Sequence, residues 1–387
     1  MKKYTLMNKN VKLIDFTVND AGLFCIEKIL ENKMLPYALY SKNKVSGEDI
    51  KYWIEHRCIP IMRPNYYKLL EKMDCKNSYE MVLKNHALSL LDPYWIELEG
   101  EDLKWEDINF FDNEYDEDAG LFLLQMEEEF NNRYSPDICT NGVQPKIWIK
   151  NNKQDYLLKF GRAPFYQEPI NEVICSEIAL SFPHITSVEY TKTTFNGMPA
   201  SKCENFISSG MEFVPALYIY DKKEDVSGNP VLSIIKKAKE LDVVNAEEFI
   251  SEMIMFDSVI NNTDRNLGNF GFLRDTDTGE FLCMAPVFDN GDSLWFDEDY
   301  TQINENQIKV KPANLTHMEM LGFIKKGNVD FNMLQYNVEK AKNLMAKDIS
   351  ESRLEKINLQ INERVMQLSK TIERMRYKSH ERNSYAR

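Results

Sequence analysis

Between Lys146 and Phe206 the sequence changes texture, and this change limits the possible folds more than any other feature. Lys146-Ile147-Trp148-Ile149-Lys150 and Tyr156-Leu157-Leu158-Lys159-Phe160 are rich in strand formers and flank the turn-forming Asn151–Gln154, which predicts a hairpin. A helical stretch follows from about Ile170 to Phe182. Val188–Thr193 and Ala200–Phe206 then flank Asn196-Gly197, a strong signal for a second hairpin. From about Leu232 the pattern turns helical, with Phe249, Met253, Phe256 and Ile260 at helical spacing up to a stop at Asn261-Asn262. Two short strands, Asn269–Leu273 and Phe281–Ala285, flank Asp275–Gly279. Helices are expected at Phe331–Met345 and from Ile349 to about Tyr377, the latter with an apolar stripe of Leu354, Ile361, Val365, Leu368, Ile372 and Met375.

The stretch before this β-rich block predicts a mostly helical region. Ser46-Gly47-Glu48-Asp49 reads as a capped helix start. Tyr66, Leu69, Leu70 and Met73 follow at helical spacing, and Leu90–Ile96 reads as a packing surface. An acidic stretch, Glu97–Asn132, carries a cluster at Asp112–Asp118 and places a boundary near its end. The expected organisation is 1–130, a mostly helical N-terminal region of open role; 131–210, a small β-rich lobe; and 211–387, a helical lobe. The fold class is α+β and bilobal, with the chemistry expected between the two lobes.

The 387 residues carry 61 acidic and 47 basic side chains, a formal net charge of -14. Direct nucleic-acid or anionic-membrane binding by the exterior is not expected of such a chain, although a local basic groove around a phosphate ligand is compatible with it. No run of 18 apolar residues predicts a membrane span, and the start, MKKYTLMNKNVKLIDF, has no apolar segment of a secretory signal. The seven cysteines are scattered, with no C-x-x-C pair, so reduced thiols in the cytoplasm are expected rather than a zinc site or a disulfide framework.

The strongest chemical motif is Asn261-Asn262-Thr263-Asp264-Arg265-Asn266-Leu267-Gly268-Asn269-Phe270-Gly271, a loop between a helix and a strand. Phosphoryl transfer needs a carboxylate that orients or accepts the attacking hydroxyl proton, and oxygen ligands for Mg²⁺. Asp264 and Asn269 have the Asp-x₄-Asn spacing of a kinase catalytic loop. Asp289, in Ala285-Pro286-Val287-Phe288-Asp289-Asn290-Gly291, ends the following hairpin, which would bring it back beside Asn269 as a second metal ligand. Lys159, on a strand of the β-rich lobe, is suited to ATP phosphates. An acid from the adjoining helix would steady it, Glu172 in preference to Glu177. The turn Thr140–Lys146 offers backbone amides to phosphates. Glu204-Asn205-Phe206 falls where a connection between the lobes would read adenine through backbone groups.

Taken in order, Gly142-Val143-Gln144-Pro145-Lys146, Leu158-Lys159-Phe160, Asn171-Glu172, the Asn262–Phe270 segment and Ala285–Asp289 resemble the motifs of HipA-like kinases. These are bacterial serine/threonine protein kinases whose fold is related to that of phosphatidylinositol kinases. The resemblance spans roughly Ser135 to Tyr377. It implies ATP and Mg²⁺ as cofactors, Asp264 as catalytic carboxylate, Asn269 and Asp289 as Mg²⁺ ligands, and Lys159 with the Gly142–Lys146 loop (Val143 and Gln144 included) around the phosphates. It also implies a protein substrate and an antitoxin-like protein partner. Two departures stand out. Cys139 occupies the position where many members carry an autophosphorylated serine, with Thr140 beside it, and Asn290 follows Asp289 in place of Leu or Phe. The motifs describe the ATP side only. A lipid or small-molecule kinase, or a nucleotide-binding regulatory module without turnover, are therefore the competing readings.

Overall fold

In the computed structural model residues 1–129, 134–223, 225, 228–304 and 308–385 are described, with side chains in the last helix up to Arg374. The chain forms two compact units. The first comprises Met1–Phe160, Lys202–Val214 and Phe272–Leu282; the second comprises Gly161–Ser201, Pro215–Gly271 and Cys283–Arg387.

The first unit opens with three strands, β1 (Lys2–Asn8), β2 (Val11–Val18) and β3 (Phe24–Ile29), joined by β4 (Tyr94–Leu98) in an antiparallel sheet of order β3-β2-β1-β4. The expectation of a mostly helical first region is therefore corrected to a mixed one. The described residues of this region also form short helices: α1 (Tyr37–Tyr40), α2 (Gly47–Glu55), α3 (Tyr66–Lys72), α4 (Ser78–Lys84), α5 (Trp105–Ile108) and α6 (Asp118–Leu123). The physical reason for the missed strands is that their period of two is interrupted. The register of β1 on β2 shifts between Leu6 and Met7, so Leu6, Met7 and Asn8 are buried in succession. Ser46 caps α2 with the reciprocal Asp49 bond that the sequence predicts.

The expected boundary at 130 falls in residues 130–133, outside the described residues. Across it the core is continuous. Trp148 packs into one cluster with Met7, Leu88, Leu90, Trp95, Trp105 and Phe110. The strands on either side of the first predicted turn, β5 (Lys146–Asn151) and β6 (Gln154–Phe160), pair antiparallel through a two-residue turn with positive φ at Asn152 and Lys153.

The second unit begins with α7 (Glu168–Ala179) and β7 (Thr191–Phe195). A turn with φ of 47° at Asn196 and 81° at Gly197 leads into β8 (Met198–Glu204), whose last residues re-enter the first unit. β9 (Met211–Pro215) lies mainly in the first unit. The second resumes with α8 (Ala216–Ile219), α9 (Pro230–Glu240) and α10 (Ala246–Ile260). α10 is apolar nearly all round and is accordingly buried along its length. β10 (Gly271–Asp275) and β11 (Phe281–Met284) form a sheet of order β11-β10-β9. Its buried Arg274 binds the Glu212 carboxylate at 3.0 Å and Leu35 O at 2.9 Å. The chain ends in α11 (His317–Leu321), α12 (Phe331–Met345) and α13 (Glu351–Tyr385). Leu354, Ile361, Val365, Leu368 and Ile372 of the predicted stripe are buried in α13; the Met375 side chain lies outside the described ones. Among the described residues no helix is long and apolar enough to cross a membrane.

Candidate active site

Most of the chemistry-bearing residues of the second unit sit on one loop that the helix end dictates. α10 stops because Asn261 adopts the left-handed conformation, at φ 53°, which asparagine tolerates better than most residues. From there the loop is stitched by its own side chains. Asn262 Oδ1 accepts the Asp264 N–H (2.9 Å), and Asn266 Oδ1 accepts the Gly268 N–H (2.8 Å). Asn269 Nδ2 donates to Asp264 O at 2.9 Å. Asp264 and Asn269 are thus joined directly, and the Asn269 side-chain oxygen is the end of that amide left to face another group.

Arg265 welds this loop to the segment that carries Asp289. Its buried guanidinium pairs with Asp257 of α10 (2.9 Å) and donates to Asn269 O (3.1 Å), to Phe288 O (2.6 Å) and to the Asn290 side-chain oxygen. Both chain neighbours of Asp289 are therefore tied to the arginine that also binds Asn269. The hairpin closes as expected, with Ala285 N–H donating to Gly271 O at 2.9 Å. Asp289 itself holds a φ of 59°, an uncommon conformation for an aspartate and one that surrounding bonds must enforce. Those bonds come from Arg265 and from α7. Glu172 accepts the Asn290 N–H (2.9 Å), and the Asn171 amide donates to Gly291 O (2.9 Å) and Ser293 O (2.7 Å). Asn290, the departure from the family pattern, is thereby explained locally as a partner of Arg265 and Glu172. Glu177, the less favoured acid, pairs with Lys340 at 2.6 Å.

Negative charge converges here. Burial pushes the Asp292 carboxyl up to about 7. Arg162 opposes that rise, while Asp289, Asp264 and Glu168 reinforce it. Arg162 donates to both Glu168 and Asp292. On the outer side Lys311 pairs with Asp264 at 2.5 Å. Among the described residues no group of three His, Cys, Asp or Glu side chains stands close enough to hold a metal alone. Asn269 and Asp289 fit the sparser protein set of a Mg²⁺ ion completed by water and phosphate oxygens.

In the first unit the Gly142–Lys146 loop leads into β5. Gly142 has φ 97°, and a Cβ there would come within 2.4 Å of Lys146 Nζ. Lys146 Nζ donates to Asn141 O at 2.9 Å, and Gln144 Nε2 to Phe160 O at 3.0 Å. Val143 is exposed. Lys146 and Lys159 are register partners across β5 and β6 and share one face of the hairpin, both buried. Two ammonium groups and a glycine turn therefore lie together. The loop is braced by buried Arg63, which donates to Gln144 O and more distantly to Gly142 O and Lys146 O, both at 3.4 Å. Thr140 is buried, its hydroxyl donating to Pro136 O (2.7 Å) and accepting from Trp148 Nε1 (2.9 Å). The neighbouring Cys139 thiol is pushed up to about 11 by burial. Glu204 is exposed at the end of β8, and the Phe206 ring packs edge-on against Phe213. Asn205 pins this segment through bonds to Asp155 O (2.9 Å) and Leu90 O (3.0 Å).

Sequence reasoning missed Arg265, Asp292 and Arg63. Asp257 within the apolar run Met253–Ile260 was a signal for a buried cation partner, and Asp289-Asn290-Gly291-Asp292 shows its second acid openly. The hydrogen bonds of Arg63 go to backbone carbonyls, which leave no mark in sequence.

No family model matches the sequence. The serine/threonine-protein kinase CtkA of Helicobacter pylori is 25% identical over 163 residues, 39% of this chain and 50% of that protein, so the match spans about half the length of the curated relative. The crystal structure of the Helicobacter pylori proinflammatory kinase CtkA superposes with a TM-score of 0.48 at 19% identity, over 60% of this chain and 95% of that one. HipA of Shewanella oneidensis, from a toxin–antitoxin complex with HipB and operator DNA, superposes with a TM-score of 0.58 at 12% identity, over 96% of this chain and 99% of that one. The chain has the fold of the HipA-like kinases and resembles them in the order of its motifs.

Proposed function

We propose that this chain is an ATP- and Mg²⁺-dependent kinase that transfers the γ-phosphoryl group to a serine or threonine hydroxyl of a protein. One observation carries the reading. Asp264 and Asn269 are joined by the bond from the Asn269 amide to Asp264 O, and Arg265 ties Asn269 O to Phe288 O and to the Asn290 side chain, the two chain neighbours of Asp289. Asp264, Asn269 and Asp289 make up the carboxylate-plus-oxygen-ligand set that phosphoryl transfer requires. The sequence similarity to a serine/threonine kinase supports it.

In this reading Asp264 orients the acceptor hydroxyl and takes its proton. Asn269 and Asp289 would hold Mg²⁺, which supplies charge neutralisation of the phosphates when bound. Lys159 and Lys146 would neutralise phosphate charge, with the Gly142, Val143 and Gln144 amides as further donors. Glu172 keeps the Asp289 turn in place through Asn290. The segment from Glu204 to Phe206 meets the adenine. The free, scattered cysteines support a cytoplasmic location. An antitoxin-like protein is the proposed partner, by analogy with the HipB-bound Shewanella protein.

The test is Mg²⁺-dependent transfer from γ-labelled ATP to the protein itself or to cell extract. Asp264→Asn should lower transfer by at least about 10³-fold while nucleotide binding persists. Transfer that survives this substitution removes Asp264 from the reaction. Nucleotide binding without any turnover in the wild type would leave a regulatory module.

A further inference from the structure

We propose that Lys311 is a further catalytic residue, an ammonium that leaves Asp264 to grip the transferring γ-phosphoryl group of ATP. The inference rests on the kinase reading above and deepens it.

The cations Arg265, Arg162 and Lys311 of the second unit are not alike. Arg265 is buried, with its donors spent on Asp257, Asn269 O, Phe288 O and Asn290. Arg162 is committed to Glu168 and Asp292. Both hold the scaffold and cannot follow a reacting group. The Lys311 side chain is 60% exposed and meets Asp264 Oδ1 at 2.5 Å. An exposed pair of this kind contributes little to stability, so the fold does not need it.

The root of the side chain, in contrast, is fixed. Val310, one residue before, is buried, and its N–H donates to Leu315 O at 2.8 Å in an antiparallel bridge. Thr316 then caps α11 reciprocally with Glu319, and Met320 and Leu321 are buried. Lys311 is thus a flexible four-carbon arm on an anchored base, its head at the proposed catalytic carboxylate.

A phosphoryl group transferred to a hydroxyl held by Asp264 must pass within a few ångströms of that carboxylate, and so within reach of the same ammonium. Once it leaves Asp264, all three Lys311 donors are available to phosphoryl oxygens. In the step itself the bond from the acceptor oxygen to the γ-phosphorus forms as the bond to the ADP oxygen breaks. The hydroxyl proton goes to Asp264, and the ammonium neither gains nor loses a proton. Its positive charge answers the charge on the equatorial oxygens.

The experiment compares the full-length wild type, Lys311→Met and Lys311→Arg in steady-state transfer from γ-labelled Mg–ATP, with water or the protein itself as acceptor. Lys311→Met should lower kcat by about 10²-fold, with KM for ATP within about threefold of wild type. Lys311→Arg should recover most of the loss. A Lys311→Met rate equal to or above wild type, with wild type active, overturns the proposal and makes the lysine a spectator or a block. A second measurement needs no turnover. Acetic anhydride labelling of Lys311, read by mass spectrometry, should be suppressed more by Mg²⁺ with a non-hydrolysable ATP analogue than by Mg–ADP. Equal labelling overturns the γ-phosphoryl contact. A wild type that neither binds nor turns over Mg–ATP instead brings down the kinase reading itself.

Discussion

The loop from Asn262 to Asn269 and the loop from Asn141 to Lys146 are held in opposite ways. The first carries one acid, Asp264, and one base, Arg265, and is largely self-supporting. Its asparagines bond its own backbone at spacings of two to five residues, and its arginine reaches Asp257 only eight residues away. The second is flanked by Lys146 and Lys159 and is supported from a distance, by Arg63, about 80 residues earlier in the chain. The contrast teaches that the Asp264 loop is built by local chemistry, while the Gly142–Lys146 loop depends on a first region whose role the sequence left open. That region is part of the glycine loop's support.

Three perturbations bear on this contrast, beyond those of Asp264 and Lys311. The largest effect is expected from Arg265→Met. It leaves the buried Asp257 carboxylate uncompensated and should cost about 3–5 kcal/mol of stability in urea unfolding. Adding Asp257→Asn should return part of the loss, because the stranded charge is then gone. If the single variant unfolds like wild type, the weld around Asp289 is not what holds the site.

Arg63→Met should cost less, about 1–3 kcal/mol: it strands carbonyl acceptors, and the buried Asp137 beside it, whose carboxyl burial already raises to about 7, can take up a proton when the charge is lost. Its kinetic signature should also differ, with KM for ATP raised about tenfold and kcat little changed. A fall in kcat at unchanged KM would erase the distinction between the loops.

The smallest effect concerns pH. The Asp292 carboxyl is raised from 3.8 to about 7 in the folded chain, so between those values the folded state binds more protons than the unfolded one. Its contribution therefore weakens the fold as pH rises from about 4 to 7. Asp292→Asn lacks this dependence, so its stability relative to wild type should climb across that window, by about 1–2 kcal/mol once screening is allowed for. Parallel stability curves from pH 4 to 7 would show that the acidic side carries no such strain.

Much of the second unit was legible because its signals are short-range. Asn196-Gly197 marks a turn that needs two positive φ values, and the apolar run of α10 ends at an asparagine that can turn left-handed. The first 30 residues were not legible as strands, because a bulge at Leu6 and Met7 breaks the alternation on which strand reading depends. The expected boundary at 130 failed to separate compact units because Trp148 completes a core begun by Met7, Trp95 and Trp105. Composition changes along a chain even where a core does not.

By itself the sequence determined the residue types that phosphoryl transfer needs, their order, and the spacing that lets Asn269 close onto Asp264. It could do so because those bonds span a few residues. Only the tertiary structure decided what holds these groups in place. Arg265 binds both neighbours of Asp289, Glu172 holds the Asn290 amide, Arg63 braces the Gly142–Lys146 loop and Lys311 reaches Asp264. Each of these contacts joins residues distant in sequence, most through backbone groups common to every amino acid, and such contacts exist only once the chain has folded.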